Sequence, residues 1–146
     1  MNPNKSTSGD SKLKKEELTI DIDIKSLKEV KGKNSRAVMI DFSGNCKCSN
    51  FCGQVMPGAV DTQIISQDIH SLSARYILKG KDRENQDCSI FIENKGFIQA
   101  DGSIVTKPVI VTDSKVLSYL EDAKLTGTTS PRENGIIIHI FSEISE

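Results

Sequence analysis

Leu18, Ile20, Ile22 and Ile24 alternate with Thr19, Asp21 and Asp23. This period of two predicts a half-buried strand whose aspartates form its solvated face. Further short strands are predicted at 37–42, 51–56, 61–66, 72–78, 88–93 and 104–111, and an unbroken apolar run, GIIIHIFSEI, at 135–144. Turn residues separate them: Gly32, Lys33 and Asn34 inside a charged connection at 25–35, Ser43, Gly44 and Asn45, Pro57 and Gly58, the loop 82–87, and Asp101 and Gly102. The stretch 116–122, VLSYLED, predicts a helix of one or two turns, capped by Asp113 or Ser114, with Leu117, Leu120 and Leu125 facing inward. Residues 126–134 are rich in loop formers and predict a loop. Nine or ten short strands with so little helix predict an all-β fold. A closed, mostly antiparallel β-barrel is favoured over a sandwich because it leaves no exposed edge.

Composition narrows this picture. The 146 residues suit one domain at 18–146, and the polar segment 1–17 predicts a disordered tail because it has too little apolar surface to offset its ordering entropy. Lys and Arg number 19 against 20 Asp and Glu, for a net charge of -1, so no electrostatic footprint for nucleic acid is expected. No apolar run approaches the roughly 20 residues that span a bilayer, so no membrane partner is expected. The N-terminal stretch has no apolar core or cleavage pattern, which excludes a signal peptide and points to the cytoplasm. Four cysteines in that setting read as reduced thiols. Five Phe, two Tyr and no Trp imply a small aromatic core.

Three segments carry more than strand periodicity: GQVMPGAVDTQ (53–63), ARY (74–76) and IENKGF (92–97). Together they resemble the family known as domain of unknown function 3237, which has a G-x-V-x-P-G-G-x-D-x-Q segment, an A-R-Y strand and a strand ending V-x-N-x-G. Looser matches at 40–44, 119–121 and 125–128 extend the resemblance over about 18–143. It implies a lipocalin-like β-barrel and no established activity. The chain departs from the pattern at Ala59, where the family has its second Gly, at Thr62, where it has an aromatic, and in lacking the late Trp. A left-handed backbone at Ala59 would be costly. If the missing aromatics line a cavity, this chain binds a different ligand or none.

Asp61 and Gln63, two apart on a strand, share a face, whereas Arg75 and Tyr76 point to opposite faces. If Asp61, Gln63, Arg75 and Asn94 all point inward, they form a buried polar cluster able to hold one small ligand. Arg75 would clamp a carboxylate or enolate oxygen through its planar fork, and Asp61 would give or take a proton, these two being the candidate catalytic residues. Gln63 and Asn94 would orient a carbonyl, with Tyr76 as a further ligand-binding candidate or packing residue. The plainer alternative is an Asp61–Arg75 ion pair that merely holds the barrel.

The spacing of Cys46, Cys48 and Cys52 is poor for zinc, with the fourth ligand left to Cys88, His70 or His139, so no metal or cofactor is expected. A reactive thiol would need a lowered pKa, and only Lys47 lies close in sequence. His139, between Ile138 and Ile140, reads as a satisfied core or edge residue, and His70 as solvated. No phosphate-binding glycine motif is present. The residues thus predict a protein that binds a small carboxylate- or carbonyl-bearing molecule. The alternatives are a cofactor-independent isomerase, lyase or cyclase using Asp61 as acid/base, and a structural or interaction protein. Association as a homodimer is compatible with the composition.

Overall fold

The computed structural model describes residues 13–144. They form nine strands: β1 (Lys14–Lys31), β2 (Ser35–Lys47), β3 (Phe51–Val55), β4 (Val60–Ser66), β5 (His70–Asp82), β6 (Asp87–Ile98), β7 (Ile104–Thr112), β8 (Leu125–Arg132) and β9 (Gly135–Glu143). Helix is confined to one 3-10 turn, Ser118–Glu121. Leu117, Leu120 and Leu125 are buried as the sequence predicts, and the Ser114 hydroxyl accepts the Leu117 N–H at 3.3 Å. One turn suffices because its stability comes from packing those leucines, not from helix length.

All nine strands belong to one antiparallel sheet. Its pairings run β1-β9-β8-β7-β6-β5 and then return to β1 through β2, because β1 pairs with β2 as well as with β9. Between β5 and β2 the ring position is shared. β3 pairs with Cys46 on β2 and Gly80 on β5, while β4 pairs with Ile40 and Ala74 further along the same two strands. The segment from Met56 to Ala59 breaks what would otherwise be one strand. Proline lacks the N–H that a ladder needs, and Gly58 takes a φ of +101° that other residues rarely adopt. Ala59, by contrast, has no positive φ, so the departure from a Gly-Gly pair costs nothing there.

The structure corrects four local expectations. The connection predicted at 25–35 is mostly strand. β1 and β2 continue as a hairpin to Lys31 and Ser35, turning only at Gly32, Lys33 and Asn34. A bulge between Ile24 and Ser26 shifts the register and hides the alternation. Gly44 lies within β2 rather than in a turn, where a Cβ would collide with the Asp21 carbonyl oxygen. Residues 126–132 form most of β8 and not a loop, with the turn at Glu133 and Asn134. Their Thr and Ser content conceals a strand because part of β8 faces a cavity instead of the apolar core. Finally, the predicted tail overlaps β1 at Lys14 to Glu17, while residues 1–12 lie outside the described residues. The two aspartates expected on the solvated face of β1 hold a cation: Arg132 bridges Asp21, at 2.7 Å, and Asp23.

The interior divides along the ring axis. One half is filled by Leu18, Ile20, Phe51, Leu78, Ile90 and Ile140, each 1% exposed or less. Full burial of each such side chain contributes about 1.5–3 kcal/mol. That end is sealed by Glu17, which is 3% exposed beside a second register shift in β1. Its carboxylate accepts hydrogen bonds from the Ser142 hydroxyl (2.6 Å), the Tyr119 hydroxyl (2.7 Å) and Asn50 Nδ2 (2.8 Å). Asn50 in turn accepts Arg83 Nη1 at 2.9 Å, and the Arg83 guanidinium lies 5.8 Å over the Tyr119 ring. Burial pushes the Glu17 carboxyl up, but the bonds from Ser142, Tyr119 and Asn50 outweigh it and hold the group below the ordinary range.

A group held low adds stability that is present above the ordinary carboxylate range and is lost as pH falls through the folded value. Glu17→Gln should therefore cost about 1–3 kcal/mol at neutral pH. In urea titrations the deficit should shrink as the pH is lowered into the acid range. A deficit independent of pH would show that shape, not charge, seals this end.

Candidate functional site

The other half of the ring is hollow. Its cavity of about 170 Å³ has walls of Ile22, Ile40, Phe42, Leu72, Ile136 and Ile138, with Asp61, Gln63, Asn94 and threonines supplying the polar atoms. Register explains the arrangement. Asp61 lies opposite Ala74, which lies opposite Asn94, so the three form one inward row across β4, β5 and β6. Ala74 is the small residue between them and leaves the space that a larger side chain would fill.

The same register decides the fate of Arg75. Being next to Ala74, it must point outward, and it is exposed on the far side of the sheet from Asp61. The expected Asp61–Arg75 pair does not form, and neither does an arginine clamp in the cavity. Tyr76 is the inward neighbour. It is 3% exposed, packs edge-on against Phe42 with ring centroids 5.4 Å apart, and accepts Asn94 Nδ2 at 3.2 Å. Burial pushes its hydroxyl pKa up. Tyr76 therefore supports Asn94 and does not line the cavity.

Asn94 is fixed from both ends, because its Oδ1 accepts the Thr106 hydroxyl at 3.4 Å. An amide nitrogen carries two hydrogens, so one remains beyond the bond to Tyr76. Gly127 on β8 makes room for this pair: a Cβ there would collide with Thr106 Oγ1.

Asp61 is held from one side only. Its Oδ2 accepts Gln63 Nε2 at 2.8 Å, and Gln63 Oε1 lies 2.6 Å from His70 Nε2. The chemistry of the chain fixes its hydrogens. An ionised carboxylate takes the NH₂ end of the amide, so Oε1 faces the imidazole and Nε2 of His70 carries the hydrogen. Asp61 Oδ1 is buried and has no partner among the described residues. Burial raises the carboxyl pKa above its ordinary value, opposed by the Gln63 bond and the charge of His70.

Sequence spacing located Asp61, Gln63 and Asn94 on one wall. It missed His70, which was expected in solvent but begins β5 on the inner face; the hairpin pairing of Ile65 with His70 carries that information. It also missed Thr106 and Glu17, for which composition offers no signal. His139 is an outer-face residue whose ring nitrogens meet Glu16 (2.7 Å) and Ser130 (2.9 Å). Cys46 and Cys48 lie together, Cys52 is exposed, Cys88 is buried apart from them, and all four are free thiols.

A family model described as protein of unknown function (DUF3237) matches residues 16–107, and the chain belongs to that family. It is 31% identical over 103 residues to a UPF0311 protein of Clostridium acetobutylicum, a match covering 68% of this chain and 62% of that protein's length. Three solved structures share the fold. A protein of unknown function from Clostridium acetobutylicum matches at 21% identity and a TM-score of 0.78, covering 92% of this chain and 98% of that one. A β-barrel-like protein from Acinetobacter baumannii matches at 14% identity and 0.70, covering 89% and 96%. An enzyme from Penicillium herquei matches at 12% identity and 0.66, covering 91% and 95%.

A carboxyl whose pKa is raised by burial contributes stability that is full below the ordinary aspartate value and is lost as pH rises through the folded value. Asp61→Asn, which lets the Gln63 amide flip and keep its bond, should thus be more stable than the parent at neutral pH. The expected gap is on the order of 1 kcal/mol. Thermal unfolding across the acid-to-neutral range should show that gap opening as pH rises, and a constant gap would contradict the burial of Asp61.

Proposed function

We propose that the ring closes as a lipocalin-like β-barrel whose cavity binds a small, largely apolar organic molecule through one carbonyl or hydroxyl oxygen. The unpaired Asp61 Oδ1 in an apolar cavity carries this reading. A buried polar atom without a partner costs about 1–3 kcal/mol, and a ligand hydroxyl that donates to it, or a carbonyl that accepts from the protonated carboxyl, recovers that cost. Size sets the scale: an apolar cavity of about 150 Å³ holds a benzene, so this one suits a single ring or a short branched chain. Among the described residues no Lys or Arg lines the cavity, which favours a neutral carbonyl or alcohol over the carboxylate that Arg75 would have clamped. Ile24 and Leu27, 49% and 58% exposed on the β1–β2 hairpin, and Ile69, 54% exposed beside His70, supply apolar surface near this end of the ring.

A second reading is supported by the chain from Asp61 through Gln63 to His70. A carboxyl with a raised pKa, one free oxygen and an oriented partner is suited to moving a proton next to a bound carbonyl. That is the chemistry of a cofactor-independent isomerase, lyase or cyclase. The Penicillium herquei protein, an enzyme, has a similar fold.

One experiment addresses both. Cyclohexanone and phenol are titrated into isotope-labelled protein while amide spectra are recorded. Binding predicts shifts at Asp61, Ala74, Asn94 and Thr128, and their loss in Ala74→Leu, which fills the cavity. Shifts confined to the outer face would contradict the proposal. In deuterated water, the acid–base reading predicts that the α-hydrogens of cyclohexanone exchange faster with the parent than with Asp61→Asn. Equal rates would leave binding alone.

A further inference from the structure

At the packed end, away from the cavity, Cys46 and Cys48 place their sulfurs 3.6 Å apart. Cys46 is inward on β2, fully buried and locked between Ile20 and Gly53 by its pairing on both sides. Cys48 closes the tight turn to β3, exchanging backbone bonds with Phe51 at 3.0 and 3.3 Å. It is half-buried and opens onto a surface recess of about 350 Å³ bordered by Lys81, Asp82 and Asn85. One thiol is thus reachable from solvent and the other stands behind it within easy reach of a bond.

We propose that Cys48 and Cys46 form a peroxide-reactive modification site, in which Cys48 is oxidised first and Cys46 resolves it to a Cys46–Cys48 disulfide. The co-reactant is a hydroperoxide. The Cys48 thiolate attacks one peroxide oxygen, the O–O bond breaks, and the departing oxygen leaves as alcohol or water after taking a proton. Cys48 is then a sulfenic acid. The Cys46 sulfur attacks the Cys48 sulfur, hydroxide leaves with the Cys46 proton as water, and two thiols have been oxidised for one peroxide reduced. The sulfurs must close from 3.6 Å to about 2.05 Å. Cys48 lies just beyond the end of β2, so the turn and not the ladder absorbs that movement.

The surroundings favour attack by Cys48. The hydrogen bond with the neighbouring Cys46 thiol, together with the backbone amides of Thr19, Phe51 and Asn50, lowers the Cys48 pKa to about 6 despite burial. The same hydrogen bond, with burial, pushes the Cys46 thiol up. Backbone amides supply what the sequence offered only through Lys47. Two sulfurs without a third ligand do not make a zinc site: among the described residues no three metal-ligating side chains converge.

The full chain is treated with hydrogen peroxide at neutral pH, quenched, alkylated in denaturant and mapped by mass spectrometry. Cys46 and Cys48 should become protected together, in one species two hydrogens lighter, and a reductant should restore both. Cys48 should be consumed at least about tenfold faster than the exposed Cys52. Cys46→Ala should stop the reaction at a dimedone-trappable sulfenic acid on Cys48, while Cys48→Ala should leave Cys46 reduced. Oxidation of Cys52 ahead of Cys48, or a disulfide joining Cys48 to Cys52, would overturn the proposal, and both are read on the unmutated chain.

Discussion

The pairing of β1 with both β9 and β2 gives the molecule an inside. Once the ring of pairings returns to its start, every residue on every strand is assigned inward or outward by a single choice of register, and a slip of one residue would exchange the two sets. Leu18, Ile20 and Ile22 fix that choice on β1, since only one phase buries all three. Asp61 and Asn94 follow inward because they share a row with Ala74. Arg75 follows outward for the same reason. The candidate site is therefore a consequence of the same register that buries the core.

Within the ring, the two halves are sealed by opposite means. At the packed end a carboxylate is buried and saturated: Glu17 has a hydrogen-bond donor for each oxygen, and its pKa falls. In the hollow half a half-buried carboxyl has one buried oxygen left without a partner, and its pKa rises. The contrast is informative because desolvation acts on both groups, while three side-chain hydrogen bonds oppose it at Glu17 and one at Asp61. Saturation suits closure of an end, whereas an unmet oxygen beside empty apolar space suits occupation by something else.

Much of this was legible in the residues. Alternation located the core strands, the succession of nine or ten short apolar segments implied an all-β chain, and the Pro57–Gly58 break marked the start of the strand that carries Asp61. Legibility failed where pattern and environment part company. β8 is polar on both faces, with Thr129, opposite the buried Ile138, turned to the cavity and Thr128, opposite His139, turned outward, so its composition resembles a loop. The bulge after Ile24 erased the alternation of the hairpin. Arg75 and Tyr76 were correctly placed on opposite faces, but adjacency cannot say which face is inner; that depends on the pairing of Asp61 with Ala74, thirteen residues apart in sequence. His70 and Glu17 act through partners across the fold, which no local window contains.

Everything proposed for the cavity rests on half-buried Asp61 standing beside empty apolar space with one buried oxygen unmet. A carbon-13 pH titration of its carboxyl tests this most directly. The account predicts a midpoint above the ordinary aspartate value of about 3.9. It also predicts a further rise in His70→Ala, where the opposing charge and the far end of the hydrogen-bond chain are gone. A midpoint at or below the ordinary value would mean that Asp61 is hydrated or already paired, and the cavity would lose its chemical purpose.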